Sequence, residues 1–385
     1  MSSANITFGF SDEQKIMRDS VLSLLARELP VDRINELDKA GEFPLDAYAA
    51  LADAGWMGLP FPEKYGGIGG SYKDLTVLTE ALGYHDTGLA AGYLVTVIYA
   101  GMHVYLHGSE AMREEFLPQI ISGAKKLALC LTEPDTGSDA AGIKTFARRD
   151  GDDYVINGQK IYNTGAHVAD AVVLAARTDP DATGYTGMSL LLVDTDLPGV
   201  TIRPIDALGR HTIKANHCFF EDVRIPVSRV IGAENKGWHD LMECLNVERL
   251  CLAAAGTGNI QRIIEHTRDY AKQRIQFGQP ISKFQAIAHK FADMETGWHT
   301  ARQMSFHVAN MLDAGENPVI ETAIAKLHAT DACWKAADLG MQIMAGAGFI
   351  LDYSMQRLFR DARVGTIGGG TNEIQRNVIA KQMGL

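Results

Sequence analysis

The amino-acid sequence predicts an α+β fold in three consecutive parts, helical, then β, then helical. Three observations carry this. The chain has 385 residues, beyond the size at which one hydrophobic core keeps growing, so two or three packed domains are expected. Its 46% hydrophobic and 22% charged residues are ordinary for a globular protein and wrong for disorder. The apolar spacing changes from helical to strand-like near residue 126 and back near Gly237. The expected boundaries are 1–125, 126–232 and 233–385.

In the first part, Ser11 followed by Gln14 forms a capping-box signature before an apolar-periodic run. "FPLDAYAALADAGWMGL" repeats the pattern and stops at Gly55 and Gly58, and the proline- and glycine-dense loop "PFPEKYGGIGGSY" follows. From Thr87 to Ser109 there is no formal charge, over a length close to a membrane span. It stands alone and carries His103, His107 and several glycines, so a helix buried on all sides explains it better. His103 and His107 have the i, i+4 spacing of a metal pair but no third ligand motif, and are read as core or pocket-lining residues.

The second part holds strand-length runs: "DYVINGQKIYN", "ADAVVLAAR", "GMSLLLVDT", "GVTIRPI" and "NHCFFEDVRIP". Asn157-Gly158 inside the first is a hairpin signal. Short strands without intervening helices suggest a small barrel or sandwich. In the third part, helices are expected over roughly 237–272, 282–314, 318–346 and 372–383, without repeats or low-complexity linkers.

The net charge of −11 and the lack of basic runs disfavour a nucleic-acid partner. Five cysteines without a CxxC pair fit a reducing compartment and argue against disulfide scaffolds or zinc. The N-terminus lacks a signal-peptide pattern. A cytoplasmic protein without a metal or a membrane partner is the expectation.

Single segments are weak signals. "LTEPDTGSDAAGIKT" offers Thr132, Ser138 and Thr145 hydroxyls beside glycines, able to hold a heterocycle or phosphate, or to serve as a turn-rich connector. Arg274 in "YAKQRIQFGQPISKFQ" could bind a pyrophosphate or simply end a helix. "MQIMAGAGF" reads as a helix end with a C-cap glycine.

Taken together, "LTEPDTGSDAAGIKT", "NGQKIYNTG", "FEDVRIP", "RIQFGQPISKFQ", "QIMAGAGF", "RLFRDARV" and "GGTNEIQR" resemble the acyl-CoA dehydrogenase family, in order and over essentially the whole chain. The resemblance implies an N-terminal α-helical domain, a middle β-barrel, a C-terminal four-helix bundle and an FAD cofactor. It also implies a homotetramer in which a neighbour completes each FAD site, an acyl-CoA substrate and an electron-transfer flavoprotein. By that resemblance Leu131, Thr132 and Ser138 hold the flavin ring, with Ser138 also near the CoA. Tyr162 and Thr164 flank the ring, Tyr162 replacing the commoner tryptophan. Arg274, Phe277 and Gln285, with the segment from Gln342 to Gly346, reach a neighbour's FAD, and Thr371 and Glu373 touch FAD at the last helix.

Many family members carry their catalytic glutamate where this chain has Gly369, within Gly368-Gly369-Gly370. A substitute lies in the third part. Leu241, Leu245, Glu248, Leu252 and Ala255 share one helical face. A carboxylate in such a stripe must be desolvated, paired or employed, and desolvation suits a general base; an ion pair with Arg249 or another arginine is the structural alternative. "LNVERL" with "IGGGTNE" resembles the isovaleryl-CoA and long-chain branches, which implies Glu248 as base. Gly369 then offers its backbone N–H to the thioester carbonyl, an oxyanion-hole role. Asn246, Arg249 and Gly368 match substrate-binding positions, Asn246 in place of the commoner aspartate. The competing expectations are a flavin oxidase or monooxygenase on the same fold, and a non-catalytic binding protein. A branched or medium acyl chain is expected.

Overall fold

In the computed structural model, which describes residues 9–385, the capping box forms as its spacing requires. Gln14 N–H donates to Ser11 Oγ, Ser11 N–H donates to the Gln14 side chain, and α1 (Asp12–Glu28) begins. The elements then follow as α2 (Val31–Ala40), α3 (Leu45–Asp53), α4 (Tyr72–His85), α5 (Thr87–Tyr93), α6 (Met102–His107), α7 (Glu110–Ile121), strands β1 to β8, α8 (Gly237–Gln273), a two-stranded hairpin of β9 (Ile275–Gln276) and β10 (Gln279–Pro280), α9 (Gln285–Asp313), α10 (Val319–Met344), the short α11 (Gly346–Phe349), α12 (Met355–Arg363) and α13 (Asn372–Gln382). Helical N- and C-terminal regions thus enclose a middle sheet in chain order. The sequence expectation had no separate helix at Met355–Arg363.

By packing, the chain divides into two units. One holds Met1–Asp38, Ser71–Ala90 and Arg249–Leu385; the other holds Lys39–Gly70 and Ala91–Glu248. The N-terminal helices are therefore shared between the units, and the division inside α8 falls between Glu248 and Arg249.

The first unit has a core of Ile260, Ile263, Trp298, Cys333, Met344, Met355 and Leu358, with a second cluster around Leu250, Val308 and Ala325. Its α4 and α8 touch backbone to backbone. A Cβ on Gly83 would lie 2.1 Å from the Ala255 carbonyl oxygen, and one on Gly258 would lie 2.0 Å from that of Glu80. Only glycine permits such approach. Glu80, buried there, accepts from Arg302 Nε (2.7 Å) and Thr257 Oγ1 (3.1 Å).

The second unit is built on one sheet of β1 (Leu127–Cys130), β2 (Phe146–Asp150), β3 (Asp153–Lys160), β4 (Ala171–Arg177), β5 (Met188–Asp194), β6 (Val200–Ile205), β7 (Ala215–Pro226) and β8 (Val230–Ile231). Its order is β6-β7-β3-β2-β4-β5-β8, with β1 parallel to β4. Tyr154, Ile156, Leu174, Leu191, Phe220 and Val223 form its core. The Asn157-Gly158 hairpin does not occur. β3 runs straight through these residues with a register shift between Ile156 and Gly158, and the β2–β3 turn is made by Gly151 and Asp152. Gly158 sits at φ +146, where a Cβ would lie 2.6 Å from Thr145 Oγ1; the glycine serves a close strand approach at a bulge instead of a turn.

The uncharged stretch is a helix from Thr87 to His107, long and apolar enough to cross a membrane but with 83% of its most apolar window buried in the fold. Its middle, Leu94–Gly101, is π-helical. Thr96 Oγ1 donates to the Leu127 carbonyl (3.1 Å) and accepts from the Leu127 N–H (3.3 Å), fixing this helix to β1.

Candidate active site

In the sheet unit, Leu131 and Thr132 follow directly on β1, and Tyr162 to Thr164 follow β3 after Ile161. The Ile161 N–H donates to the Thr132 carbonyl (2.8 Å), so the two segments lie side by side. Tyr162 stands at φ +61 and is 64% exposed. That strained backbone is held from behind: Asn163 N–H donates to the Asn216 carbonyl (3.0 Å), and Asn216 Nδ2 donates to the Asn163 carbonyl (2.8 Å). Ser138 lies in the exposed part of the loop between β1 and β2. Thr145, expected to offer its hydroxyl outward, is buried and donates to the Gln159 carbonyl (3.2 Å).

Two residues that sequence reasoning missed organise this region. Lys160 is fully buried and donates Nζ to Glu133 Oε1 (2.8 Å) and to the Leu131 carbonyl (3.0 Å). Glu133 also accepts from the amides of Lys144 (2.6 Å) and Thr145 (2.8 Å). Burial pushes the Lys160 ammonium down to about 8 against the opposing pull of Glu133. A lysine at the end of a strand and a glutamate in a turn-rich loop look solvent-facing in sequence, because the partners that bury them are brought in by the fold.

On α8, the stripe is buried at three of its five positions and half-buried at the other two. Leu241 and Leu252 are buried, Leu245 and Ala255 half-buried, and Glu248 is 6% exposed. One turn before Glu248, burial raises the Cys244 thiol pKa, and the charges of Glu248, Glu243 and Asp240 raise it further. Asn246, on a neighbouring face, is half-buried.

In the helical unit, the glycine loop is pinned by its carbonyls. Gln375 Nε2 donates to those of Gly369 (3.2 Å) and Gly370 (3.0 Å), and the buried Lys326 donates to that of Gly370 (2.8 Å) and to Asn372 Oδ1 (3.0 Å). Gly369 and Gly370 have φ of +65 and +82, conformations costly for any other residue. Among the described residues the Gly369 N–H donates to no acceptor. Gly368 N–H is used within the chain, to the Val364 carbonyl (2.9 Å). Arg249 is buried, and its Nη2 lies 3.8 Å from where a Gly370 Cβ would stand. Thr371 caps α13 by accepting from the Ile374 N–H, and Glu373 is exposed in that first turn.

Arg274, Phe277 and Gln285 gather around the β9–β10 hairpin, where Ile281 N–H returns to the Arg274 carbonyl (2.8 Å). Phe277, at φ +51, is 93% exposed. Gln342 is exposed in the last turn of α10. The helix end after it is not capped by glycine: Ala345 takes the positive φ of +50, and Gly346 instead opens α11 with nothing within 4 Å of a Cβ. His103 is a core residue, its Nδ1 on the Tyr99 carbonyl (2.8 Å), while His107 faces Asp240 and Glu243. Among the described residues no group of His, Cys, Asp and Glu is arranged to hold a metal ion.

Residues 11–124, 128–223 and 235–384 match the N-terminal, middle and C-terminal domains of acyl-CoA dehydrogenase. The chain belongs to the acyl-CoA dehydrogenase family. It is 36% identical over 379 residues to the probable acyl-CoA dehydrogenase YngJ of Bacillus subtilis, spanning 98% of this chain and 100% of that one. It is 35% identical to the caffeyl-CoA reductase–Etf complex subunit CarC of Acetobacterium woodii, over 96% and 98% of the two chains. Among solved structures, the prolyl acyl carrier protein oxidase AnaB superposes with a TM-score of 0.94 at 29% identity, covering 98% of this chain and 100% of that one. Members of the family are FAD-dependent oxidoreductases of CH–CH donors, and FAD is the cofactor here. The residues of the sheet unit fit it: Tyr162 is exposed, and the hydroxyl-bearing Thr132 and Thr164 lie on two adjoined segments.

Proposed function

We propose that this protein dehydrogenates the α,β bond of an acyl-CoA thioester to a trans-2-enoyl-CoA, with Glu248 as the base that removes the α-proton. The observation that carries this is Glu248 itself, a buried acid between leucines on one face of α8, in a chain whose C-terminal loop has glycine at position 369. Gly369 presents its N–H to the thioester carbonyl and stabilises the enolate that forms as the proton leaves. Gln375 holds the carbonyls of both Gly369 and Gly370, which supports a fixed loop around that donor. Ser138, Asn246, Arg249 and Gly368 bind the CoA thioester. Leu131, Thr132, Ser138, Tyr162 and Thr164 hold the flavin ring. FAD, when bound, supplies the acceptor for the β-hydrogen as hydride.

Arg274, Phe277, Gln285, Gln342 and Gly346 complete the FAD site of a neighbouring subunit in a homotetramer, with Thr371 and Glu373 contacting FAD at α13. The exposure of Phe277, Phe349 and Leu351 in one unit supports a surface covered by another copy. An electron-transfer flavoprotein takes the electrons onward; a relative that forms an Etf complex supports this. The five cysteines are buried and none is in a disulfide, which suits a reducing compartment such as the cytoplasm.

The test is anaerobic mixing of the holoenzyme with a panel of straight and branched acyl-CoAs. Loss of the visible flavin band and recovery of a trans-2-enoyl-CoA are expected with at least one member; no bleaching with any member overturns the reading. An oxidase is the second reading, favoured by the likeness to AnaB. Rapid peroxide formation in air without an added acceptor would establish it.

A further inference from the structure

The buried pair of Lys160 and Glu133 takes no part in the proton and carbonyl chemistry above, yet it ties together three separate stretches of backbone. Lys160 Nζ holds the Leu131 carbonyl at the end of β1. Glu133 holds the returning chain through the amides of Lys144 and Thr145. The ammonium–carboxylate bond of 2.8 Å joins both to the end of β3, immediately before Ile161 and Tyr162. Glu133 and Thr136 exchange backbone hydrogen bonds of 3.0 and 3.1 Å, which closes the turn between. A trans peptide points its C=O and N–H in opposite directions. With the Leu131 carbonyl turned in toward Lys160, the Thr132 N–H is turned away from it.

A buried ion pair is a poor means of stabilising a fold, since an apolar pair of similar volume often does as well or better. What it offers is direction: lysine has three donors and a carboxylate accepts from several partners at set angles. We infer that Lys160 and Glu133 are positioning residues, which set the orientation of the Leu131–Thr132 backbone relative to Tyr162–Thr164 and so determine how firmly and in what pose the flavin ring is held. This rests on the reading of those four residues as the ring's holders.

The test compares Lys160→Met/Glu133→Gln, Lys160→Met alone and Leu191→Ala, each as holoenzyme. Leu191 is a buried core residue of the same sheet with no part in these loops. The readouts are melting temperature, FAD dissociation constant from fluorescence on dilution, and the visible circular dichroism of the flavin. The double variant leaves no uncompensated charge, so it is expected to melt near the wild type while its FAD dissociation constant rises about tenfold or more and its flavin dichroism changes. Lys160→Met alone loses both stability and FAD. Leu191→Ala is expected to lower the melting temperature and leave FAD affinity within about twofold. Wild-type affinity and dichroism in the double variant overturn the inference and leave the flavin reading standing. So does an equal loss of FAD in Leu191→Ala, which would make the effect general destabilisation. A double variant that does not fold assigns the pair to stability and also overturns it. If the wild type takes up no FAD, the flavin reading fails first and the inference with it.

Discussion

Gly370→Ala tests the claim that the glycine loop is a conformational device rather than a spacer. Gly370 has φ +82, and forcing an L side chain there costs about 1–2 kcal/mol. The new Cβ would lie 2.9 Å from Gln375 Nε2 and 3.4 Å from Ile374 Cγ2. Gln375 is buried and cannot retreat into solvent. Moving it gives up one or both of its bonds to the Gly369 and Gly370 carbonyls, about 1 kcal/mol each. The sum is about 2–4 kcal/mol. Circular dichroism melts of the holoenzyme should show a fall of several degrees. Steady-state kinetics should show kcat reduced about tenfold or more with KM little changed, since in the proposed role the Gly369 N–H acts on charge that develops in the transition state. Gly256→Ala is the opposite case. It lies within α8, its nearest neighbour would be an ordinary 3.7 Å away, and it should gain about 0.5–1 kcal/mol. If Gly370→Ala melts within about one degree of the wild type and keeps full kcat, the loop argument is wrong.

Three further outcomes follow from the same structure. Burial, reinforced by the charge of His107, pushes His103 down to about 4 from 6.5 despite its bond to the Tyr99 carbonyl. Below pH 6.5 the unfolded chain binds the proton that the folded one refuses, so stability is full above that pH and falls by about 3 kcal/mol as pH drops to 4; His103→Leu should flatten the melting-temperature profile over that window, and an unchanged slope would refute it. Gly158→Ala would place a methyl 2.6 Å from Thr145 Oγ1 in the sheet and should cost about 2–3 kcal/mol, read as a lower thermal midpoint. Phe277→Ser combined with Leu351→Ser, both exposed in the monomer, should shift the mass by light scattering from that of the proposed tetramer to smaller species and weaken FAD retention; an unaltered mass contradicts the proposed neighbour contact.

Much of this was legible because it is periodic or motif-like. The capping box at Ser11, the strand runs from Ala171 to Pro226 and the buried stripe on α8 follow from spacing alone. The Asn157-Gly158 turn was misread because the dipeptide specifies positive φ, not a reversal; here Gly158 serves the close approach to Thr145. The division of the N-terminal helices between two units left no mark, since packing partners such as Gly83 and Ala255 are remote in sequence. Lys160, Glu133 and Lys326 were invisible for a related reason. Each is a charged residue whose burial is decided by backbone carbonyls and side chains brought in by the fold. The cap at Ala345 shows that a tertiary setting can impose positive φ on a residue that disfavours it.

The most direct test of the account is the rate of anaerobic flavin bleaching in Glu248→Gln, measured by stopped flow with the best acyl-CoA of the panel. Glutamine keeps the shape and the FAD but cannot take a proton, so the rate is predicted to fall by about 10²–10⁴-fold while FAD content and substrate binding stay near wild type. A glutamine variant that bleaches within a few-fold of the wild-type rate would contradict the assignment of the base to α8.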